Sequence, residues 1–406
     1  MVDTMINDHD MTSDILTSPT PYDRFIGLRI DHQPTSGVAI IEGFTLVVIF
    51  LGALTVNLIA LVTTLRDEML RRNVHNWLII NLIVNDLGIT ITSMSFSIVS
   101  VFDQGYFLVH NDAMCLINGI GGTGFAFGNF ATIMVISLDR YLTVVWSNRF
   151  PPSKTRTIIF IILSWVLPIA NIIPPSFELI SDFKYHPLTH HCTPVWEVCL
   201  YYIICNIILF GITVPVMVFC YIGVFWTLRR QQQVLRSYAD ENVDDSEKCN
   251  DSHQVNNPSM SLDNLSGQGG NVSETMEEFS SSNLDDPVVH GSEKGNTNRQ
   301  ERVKKKKQKK QTTERRSLQN KLTTDKRIAL TGILLVMTTV ICWAPYCIVH
   351  SCFINIHVTH SLGVFTMWLA YTNALLDPII YSFMNRRVRA RYRAMMTSLR
   401  MTVCKT

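Results

Sequence analysis

Residues 370–381 read AYTNALLDPIIY, an apolar stretch that places one acid, Asp377, directly before Pro378. A proline inside a helix removes one backbone hydrogen bond and leaves a carbonyl group without its partner. In lipid, every such polar group must be satisfied within the protein. The stretch therefore predicts a membrane-buried helix in which Asp377 completes a polar core beside the helix break.

Six further stretches that are nearly free of charge precede this one. Together the seven lie at about 38–65, 77–102, 113–138, 157–175, 198–228, 328–354 and 362–383. Each reaches the roughly 20 residues that an α-helix needs to cross a bilayer. A soluble protein would have to bury seven helices that have little polar surface. The sequence therefore predicts an all-α membrane protein, a bundle of seven transmembrane helices.

Lysine and arginine residues divide unequally between the two sides of this predicted bundle. One side carries Arg24, Arg29 and Lys184. The other side carries Arg66, Arg71, Arg72, Arg149, Lys154, Arg156, Arg229, Arg230, the run from Lys304 to Lys310, and Arg386, Arg387, Arg389, Arg391 and Arg393. Because basic residues concentrate on the cytoplasmic side of membrane proteins, the second side is predicted to be cytoplasmic. The N-terminus is then extracellular and the C-terminus cytoplasmic.

Five segments follow from these assignments. They are an extracellular N-terminus (1–37), transmembrane helices 1–5 (38–230), a long cytoplasmic loop (231–324), transmembrane helices 6 and 7 (325–384), and a cytoplasmic tail (385–406). Low hydrophobicity predicts that the loop is disordered. Its basic run KKKKQKK adjoins a membrane helix, which favours anionic lipid headgroups over nucleic acid as a partner. In the tail, basic and apolar residues alternate at near-helical spacing and predict a short amphipathic helix on the inner leaflet.

Two of the ten cysteines occupy positions that suit a disulfide. Cys115 lies at the outer end of the third predicted helix, and Cys192 lies in the loop after the fourth. An oxidising exterior favours a bond between them. We therefore expect the second outer loop to be tied to the third helix.

Polar residues within the apolar runs mark a second feature. Asp86 and Asp377 carry formal negative charge well inside their runs, and Asn57, Asn129 and Asn373 lie at similar depth. A buried charge is costly in a membrane and therefore indicates function. Two carboxylates in one polar cavity would share a proton or jointly bind a small cation such as Na⁺. The alternative is a hydrogen-bonded network that only fixes helix packing.

At the cytoplasmic end of the third run stand Asp139, Arg140 and Tyr141. Asp325 lies at the corresponding end of the sixth run. An ion pair between Arg140 and Asp325 would form a latch, and opening it would expose a cytoplasmic groove. The alternative is an interfacial pair in which the arginine reaches towards the headgroups.

Taken together, these motifs resemble the rhodopsin-like G-protein-coupled receptors. The matching residues are Asn57, Asp86, Cys115, Asp139 to Tyr141, Trp165, Cys192, Pro215, Cys342 to Pro345, and Asp377 to Tyr381. The resemblance covers every predicted span and keeps the order of the motifs.

The resemblance implies a receptor of the plasma membrane that activates a heterotrimeric G protein. It also implies arrestin and receptor kinase as partners. Arg140 would contact the G protein, and Tyr381 would repack towards it. Trp343 would lie beneath the ligand, and Asp86, Asn129, Asn373 and Asp377 would form the Na⁺-binding network.

The same resemblance outlines a ligand pocket. Its residues are Asn118, Gly122, Thr123, Ala126, Trp343, Tyr346, Cys347, Met367 and Tyr371. None of these side chains carries a formal charge, which favours a neutral small ligand. Gly122 stands where amine receptors carry an aspartate, so a monoamine held by an ion pair is disfavoured. A peptide bound to the outer loops and ordinary helix packing are the alternatives.

A weaker likeness to the opsin branch rests on the phrases GYF and CWAPY. Covalent retinal requires a lysine in the seventh helix that can form a Schiff base. Tyr371 stands at that position, and no lysine lies elsewhere in the span. We therefore expect no covalent cofactor, and a non-covalent retinoid binder stays as an alternative function.

Histidines suggest a further alternative. Nine of the twelve lie in or near the predicted outer face, among them His186, His190, His191, His357 and His360. Such a cluster could sense protons or bind Zn²⁺. Solvated loop histidines are the simpler interpretation, so no residue is assigned as a metal ligand. No catalytic arrangement emerges and we predict no enzyme, whereas a channel or transporter remains a competing class.

Overall fold

The computed structural model of the chain describes residues 36–195, 199–251, 294–351, 358–385, 387–391, 393, 394 and 397. Seven long helices dominate it. They are α1 (Ser36–Arg66), α2 (Val74–Asp103), α3 (Asp112–Val144), α4 (Lys154–Ser176), α5 (Cys199–Asn206, Ile207–Thr213 and Val214–Asp251), α6 (Lys294–Val349) and α7 (His360–Met384). Two short helices, Glu68–Arg72 and Tyr106–Val109, lie between α1 and α2 and between α2 and α3.

Six of the described helices, α1 to α6, contain a segment long and apolar enough to cross a membrane. α7 falls outside this set because it carries polar side chains such as Thr366, Thr372, Asn373 and Asp377. The fraction of the span that is buried within the protein is 72% in α3 but only 22% in α1 and α4. α3 is therefore the central helix, whereas α1 and α4 present most of their apolar surface outwards, as lipid contact requires.

Two π-helical turns interrupt the α-helical hydrogen bonding. One, Thr90–Met94, lies within α2, and the other, Ile207–Thr213, lies within α5 just before Pro215. A proline cannot donate the backbone hydrogen bond of a regular helix, and a wider turn accommodates that loss. In α5 the hydroxyl of Thr213 donates a hydrogen bond to the carbonyl of Ile208 at 2.7 Å, which satisfies a group near the break.

A β-hairpin follows α4. Strand β1 (Phe183–His186) pairs with β2 (His191–Pro194) in antiparallel register, with Tyr185 opposite Cys192. Cys115 at the start of α3 forms a disulfide with Cys192, and the Cα atoms lie 5.4 Å apart. The predicted disulfide is thus confirmed, and it ties the hairpin to the outer end of α3.

The described residues between 228 and 324 separate from the rest of the chain as a unit of their own. Within it, α5 continues to Asp251 and α6 begins at Lys294, so both ends of the segment predicted to be disordered are helical. Residues 228–251 contain no glycine or proline, and Gln, Arg, Glu and Lys favour helices even without apolar periodicity. Residues 252–293, the middle of the predicted loop, lie outside the described residues.

A short helical segment follows α7 at residues 387–391, as predicted. The side chain of Asn385 accepts hydrogen bonds from the backbone N–H groups of Arg387 and Val388 at 3.0 and 3.4 Å, which caps the segment. Arg391 donates to Asp67 at 2.9 Å, and this hydrogen bond lowers the pKa of the Asp67 carboxyl. The predicted extracellular N-terminus, apart from Ser36 and Gly37, lies outside the described residues.

Candidate functional site: a cavity, a polar core and an ion-pair cluster

The buried acids meet in the centre of the bundle. The side-chain amide of Asn129 on α3 donates to Asp86 on α2 at 2.8 Å and to Asp377 on α7 at 3.1 Å. Asn373 donates to Asp377 at 3.2 Å and to the amide oxygen of Asn129 at 3.3 Å. Thr339 on α6 donates to Asn373 at 3.2 Å. Four helices thus contribute to one polar core.

Two carboxylate oxygens of this core, Asp86 Oδ2 and Asp377 Oδ1, have no hydrogen-bond partner among the described residues. A fully buried carboxylate oxygen needs a proton, a donor or a cation, because it has lost its water. Oxygen ligands of this kind suit a hard cation. The residues therefore fit either alternative that the sequence leaves open, a shared proton or a bound Na⁺.

Asn57 occupies a neighbouring position with a different partner. Its side-chain amide donates to the carbonyls of Ala53 and Ala374 at 2.9 and 2.8 Å. It therefore joins α1 to the backbone of α7 near Pro378, where regular hydrogen bonding is interrupted. Asn57 thus supports the helix that carries Asp377, and both of these hydrogen bonds go to backbone carbonyls, not to the carboxylates.

A second polar cluster was missed by the sequence analysis. Asn81 on α2 donates to Thr132 on α3 and to Ser164 on α4, at 2.8 and 2.9 Å. Its amide oxygen accepts a hydrogen bond from the indole of Trp165 at 3.0 Å. An asparagine four residues before Asn85 in an apolar run lies on the same helix face, and that spacing could have indicated the cluster.

The C-terminal end of α3 forms a cluster of ion pairs around Asp139. Its carboxylate lies 3.0 Å from the guanidinium of Arg140, 2.6 Å from Arg156 on α4 and 2.6 Å from Nδ1 of His75 on α2. Arg156 also donates to Thr143 at 2.8 Å. Asp139 is fully buried, so these partners compensate for its lost hydration. His75 and Arg156 were not among the residues predicted from the sequence.

The other residues predicted for this end take different positions. Tyr141 packs its ring against Phe219 on α5, with the ring centroids 5.6 Å apart. Tyr381 lies between Asn76 and Asn385, at 3.5 and 3.3 Å from their side chains. The charge of Asp325 attracts that of Arg140, but the ion pair that Arg140 forms in the structure is with Asp139. The latch between Arg140 and Asp325 stays a prediction.

A cavity opens between the outer halves of the helices and is covered by the hairpin. The empty space, including its mouth, is about 690 Å³. Eight of the nine predicted pocket residues line it: Gly122, Thr123, Ala126, Trp343, Tyr346, Cys347, Met367 and Tyr371. The rings of Phe130 and Tyr346 lie on either side of Trp343, each at a centroid distance of 6.3 Å. Among the described residues, the lining contains no Asp, Glu, Lys or Arg.

Asn118 is the exception among the predicted pocket residues. Its amide donates to the carbonyl of Thr92 at 3.0 Å, and its oxygen accepts the backbone N–H of Cys192 at 2.6 Å. Both groups are therefore used to hold the hairpin against α2 and α3. Asn118 is fully buried and does not line the cavity, so its predicted ligand role is corrected to a structural one.

The hydroxyl of Tyr371, at the position where opsins carry lysine, is engaged by α2. It lies 2.8 Å from the hydroxyl of Ser93 and 2.9 Å from that of Ser97. A phenol cannot form a Schiff base, and here its oxygen has two hydrogen-bonding neighbours. The residue lines the cavity and connects α7 to α2.

The simpler interpretation of the outer histidines, that they are solvated, is wrong for the described histidines around the cavity. His191 and His350 line the cavity, and burial lowers the pKa of each imidazole to about 4. Burial also lowers the pKa of His186 well below its ordinary value. These side chains are consequently neutral at physiological pH. The hairpin carries His191 into the protein interior, where it is 5% exposed, and His350 lies directly after α6. His357 lies outside the described residues.

Comparison of the whole fold places these features in a known class. The crystal structure of squid rhodopsin superposes with a TM-score of 0.67 over 91% of this chain and 88% of that chain, at 17% sequence identity. The fold is therefore the seven-helix bundle of that structure. The chain is a multi-pass membrane protein.

Sequence comparison then identifies the family. A family model described as 7 transmembrane receptor (rhodopsin family) matches residues 56–381, and the chain belongs to that family. It is 23% identical to octopamine receptor beta-2R of Drosophila melanogaster over 88% of this chain and 61% of that protein. It is 27% identical to melatonin receptor type 1C of Xenopus laevis over 48% of this chain and 44% of that protein. It is also 30% identical to the red-sensitive opsin of Xenopus laevis over 46% of this chain and 52% of that protein. The chain thus spans less than two thirds of each of these relatives.

Proposed function

We propose that this protein is a receptor that binds a small neutral molecule in the outer cavity and activates a heterotrimeric G protein at its cytoplasmic end. Family membership supports the class of activity. The observation that carries the proposal is the uncharged cavity, which Trp343 lines, together with the separate polar core buried in the same bundle. Thr339, which lies one helical turn before Trp343 on α6, donates to Asn373 of that core at 3.2 Å. A ligand that moves Trp343 would therefore disturb the core as well.

The cavity also favours a class of ligand. Its described lining is mostly aromatic and aliphatic, includes a few hydroxyl, amide and imidazole groups, and carries no formal charge. Such a surface binds apolar molecules with few polar groups. The indole N–H of Trp343 is buried without a partner among the described residues, so the ligand would carry one hydrogen-bond acceptor. A monoamine would find no carboxylate in this lining. Retinal could bind only non-covalently, because Tyr371 replaces the lysine.

Signalling would use the ion-pair cluster around Asp139. In the resting state Asp139 holds the guanidinium of Arg140 within the protein, where the residue is only 7% exposed. Releasing it would present a cation to the G protein at the inner end of α3. Arrestin and a receptor kinase are proposed as further cytoplasmic partners, and the plasma membrane as the location. The basic residues after α7 would contact anionic lipids.

Substituting Arg140 tests the proposal. Cells that express the wild-type protein would be exposed to neutral lipids, amines, 11-cis retinal with light, acidification and zinc, and second messengers would be recorded. We expect Arg140→Ala to reduce the response to that of untransfected cells, because it removes the cation that would contact the G protein. A channel or transporter would keep its ion or solute flux in this variant.

Arg149→Ala is the matched control for this experiment. Arg149 is an exposed arginine just beyond the same end of α3 and lies 6.0 Å from the ring of Phe150. Cells that express Arg149→Ala should respond like those that express the wild type at equal surface expression. A full response by Arg140→Ala would contradict the proposed coupling.

A further inference from the structure

Three side chains of the kind that bind transition metals converge at the outer end of the bundle. Glu42 comes from α1, His190 from the turn of the hairpin, and His360 is the first residue of α7. Nε2 of His360 lies 3.1 Å from the Glu42 carboxylate, and Nε2 of His190 lies 3.7 Å from it. The three candidate ligand atoms all lie within 4.8 Å of one another.

Burial separates this cluster from an ordinary surface ion pair. The side chains of Glu42, His190 and His360 are only 9%, 6% and 14% exposed. Nε2 of His190 is buried and has no hydrogen-bond partner among the described residues. An unsatisfied buried ring nitrogen is costly, so a ligand that binds it would be favoured.

Further contacts hold the His190 imidazole in place. The hydroxyl of Tyr185 lies 3.5 Å from Nδ1 of His190 and accepts a hydrogen bond from Ser100 at 2.8 Å. Metal-binding histidines commonly use their second ring nitrogen to bond such an oxygen, which leaves the other lone pair for the metal. His190 also adopts a left-handed backbone conformation, with φ of 53°.

We propose that Glu42, His190 and His360 form a binding site for Zn²⁺. Two imidazoles and one carboxylate are a zinc ligand set, whereas Ca²⁺ and Mg²⁺ prefer oxygen ligands. Tetrahedral zinc with bonds of about 2.0–2.1 Å places its ligand atoms roughly 3.3 Å apart, close to the two separations from Glu42. The fourth position would hold water. The partial exposure of His360 gives the ion a route from the extracellular side.

Zinc at this site would connect three elements that are distant in sequence. It would fasten the hairpin turn to α1 and α7. His191, the next residue after His190, lines the ligand cavity. A bound ion would therefore restrain the cover of that cavity.

Direct binding measurements test the site without relying on signalling. The full-length protein would be purified, stripped with a chelator and titrated with Zn²⁺ by calorimetry. We expect one tight site per chain. Glu42→Gln, His190→Gln and His360→Gln should each weaken it by about 100-fold or more, since even loss of an outer hydrogen-bonding partner costs 10–100-fold. Tyr185→Phe should weaken it about tenfold.

Two variants separate ligand loss from misfolding. His360→Cys replaces one zinc ligand by another, and it should keep tight binding. His110→Gln alters an exposed histidine outside both the cluster and the cavity, and it should bind Zn²⁺ like the wild type. Wild-type affinity no tighter than that of His360→Gln, or equal loss in His110→Gln, would overturn the proposal.

Discussion

Replacing Asn129 by leucine is expected to lower the free energy of unfolding by roughly 3 kcal/mol or more. Asn129 donates to both Asp86 and Asp377, and its oxygen accepts from Asn373. Leucine would leave two buried carboxylates without these donors while keeping the side-chain volume similar. Loss of a partner from a buried charge is among the largest effects of single substitutions. Thermal unfolding of the purified protein in detergent would measure it.

A second substitution makes this prediction specific. In Asn129→Leu combined with Asp86→Asn, one buried charge is absent, so part of the lost stability should return. Asn206→Ala is the control, because the Asn206 amide bonds the carbonyl of Tyr202 one turn earlier in its own helix. Wild-type stability of Asn129→Leu would show that the core does not depend on this amide.

Loss of the disulfide is the other large effect. Replacing Cys115 and Cys192 together by serine should destabilise the protein by roughly 4 kcal/mol, because the bond closes a loop with a sequence separation of 77 residues. The same change frees the hairpin that covers the cavity. We expect a lower unfolding temperature and a loss of ligand response even where protein reaches the cell surface.

Cys199→Ser provides the comparison for that experiment. Cys199 is half-buried at the start of α5, and its substitution leaves the bond between Cys115 and Cys192 in place. Its substitution should change the unfolding temperature little. Equal unfolding temperatures for the wild type and for the variant without Cys115 and Cys192 would contradict the structural role given to the bond.

The fold could be predicted because lipid leaves a strong mark on the sequence. Charge-free runs located the helices, and the run at 113–138 corresponds to α3, Asp112–Val144. The polar ends of that helix could not be located by apolarity alone. Asp86 and Asp377 were recognisable because a formal charge inside an apolar run is rare, whereas the uncharged Asn81 gave a weaker signal.

The outer face was predicted less well, because it is arranged by contacts between residues that are distant in sequence. Whether a loop histidine is solvated depends on where the loop folds, and the hairpin is positioned by contacts with α3 through Asn118 and the disulfide. No local pattern reports that His190 meets Glu42 from the first helix. Asn118 likewise lies outside the cavity because its side chain bonds Thr92 and Cys192.

The arrangement of the seven helices across the membrane can be measured most directly by the accessibility of introduced cysteines. Lys184→Cys lies on the hairpin, whereas Arg149→Cys and Arg387→Cys lie beyond the inner ends of α3 and α7. In intact cells, a membrane-impermeant thiol reagent should label Lys184→Cys above the wild-type background. It should label the other two only after permeabilisation. Labelling of Arg149→Cys or Arg387→Cys in intact cells would contradict the account.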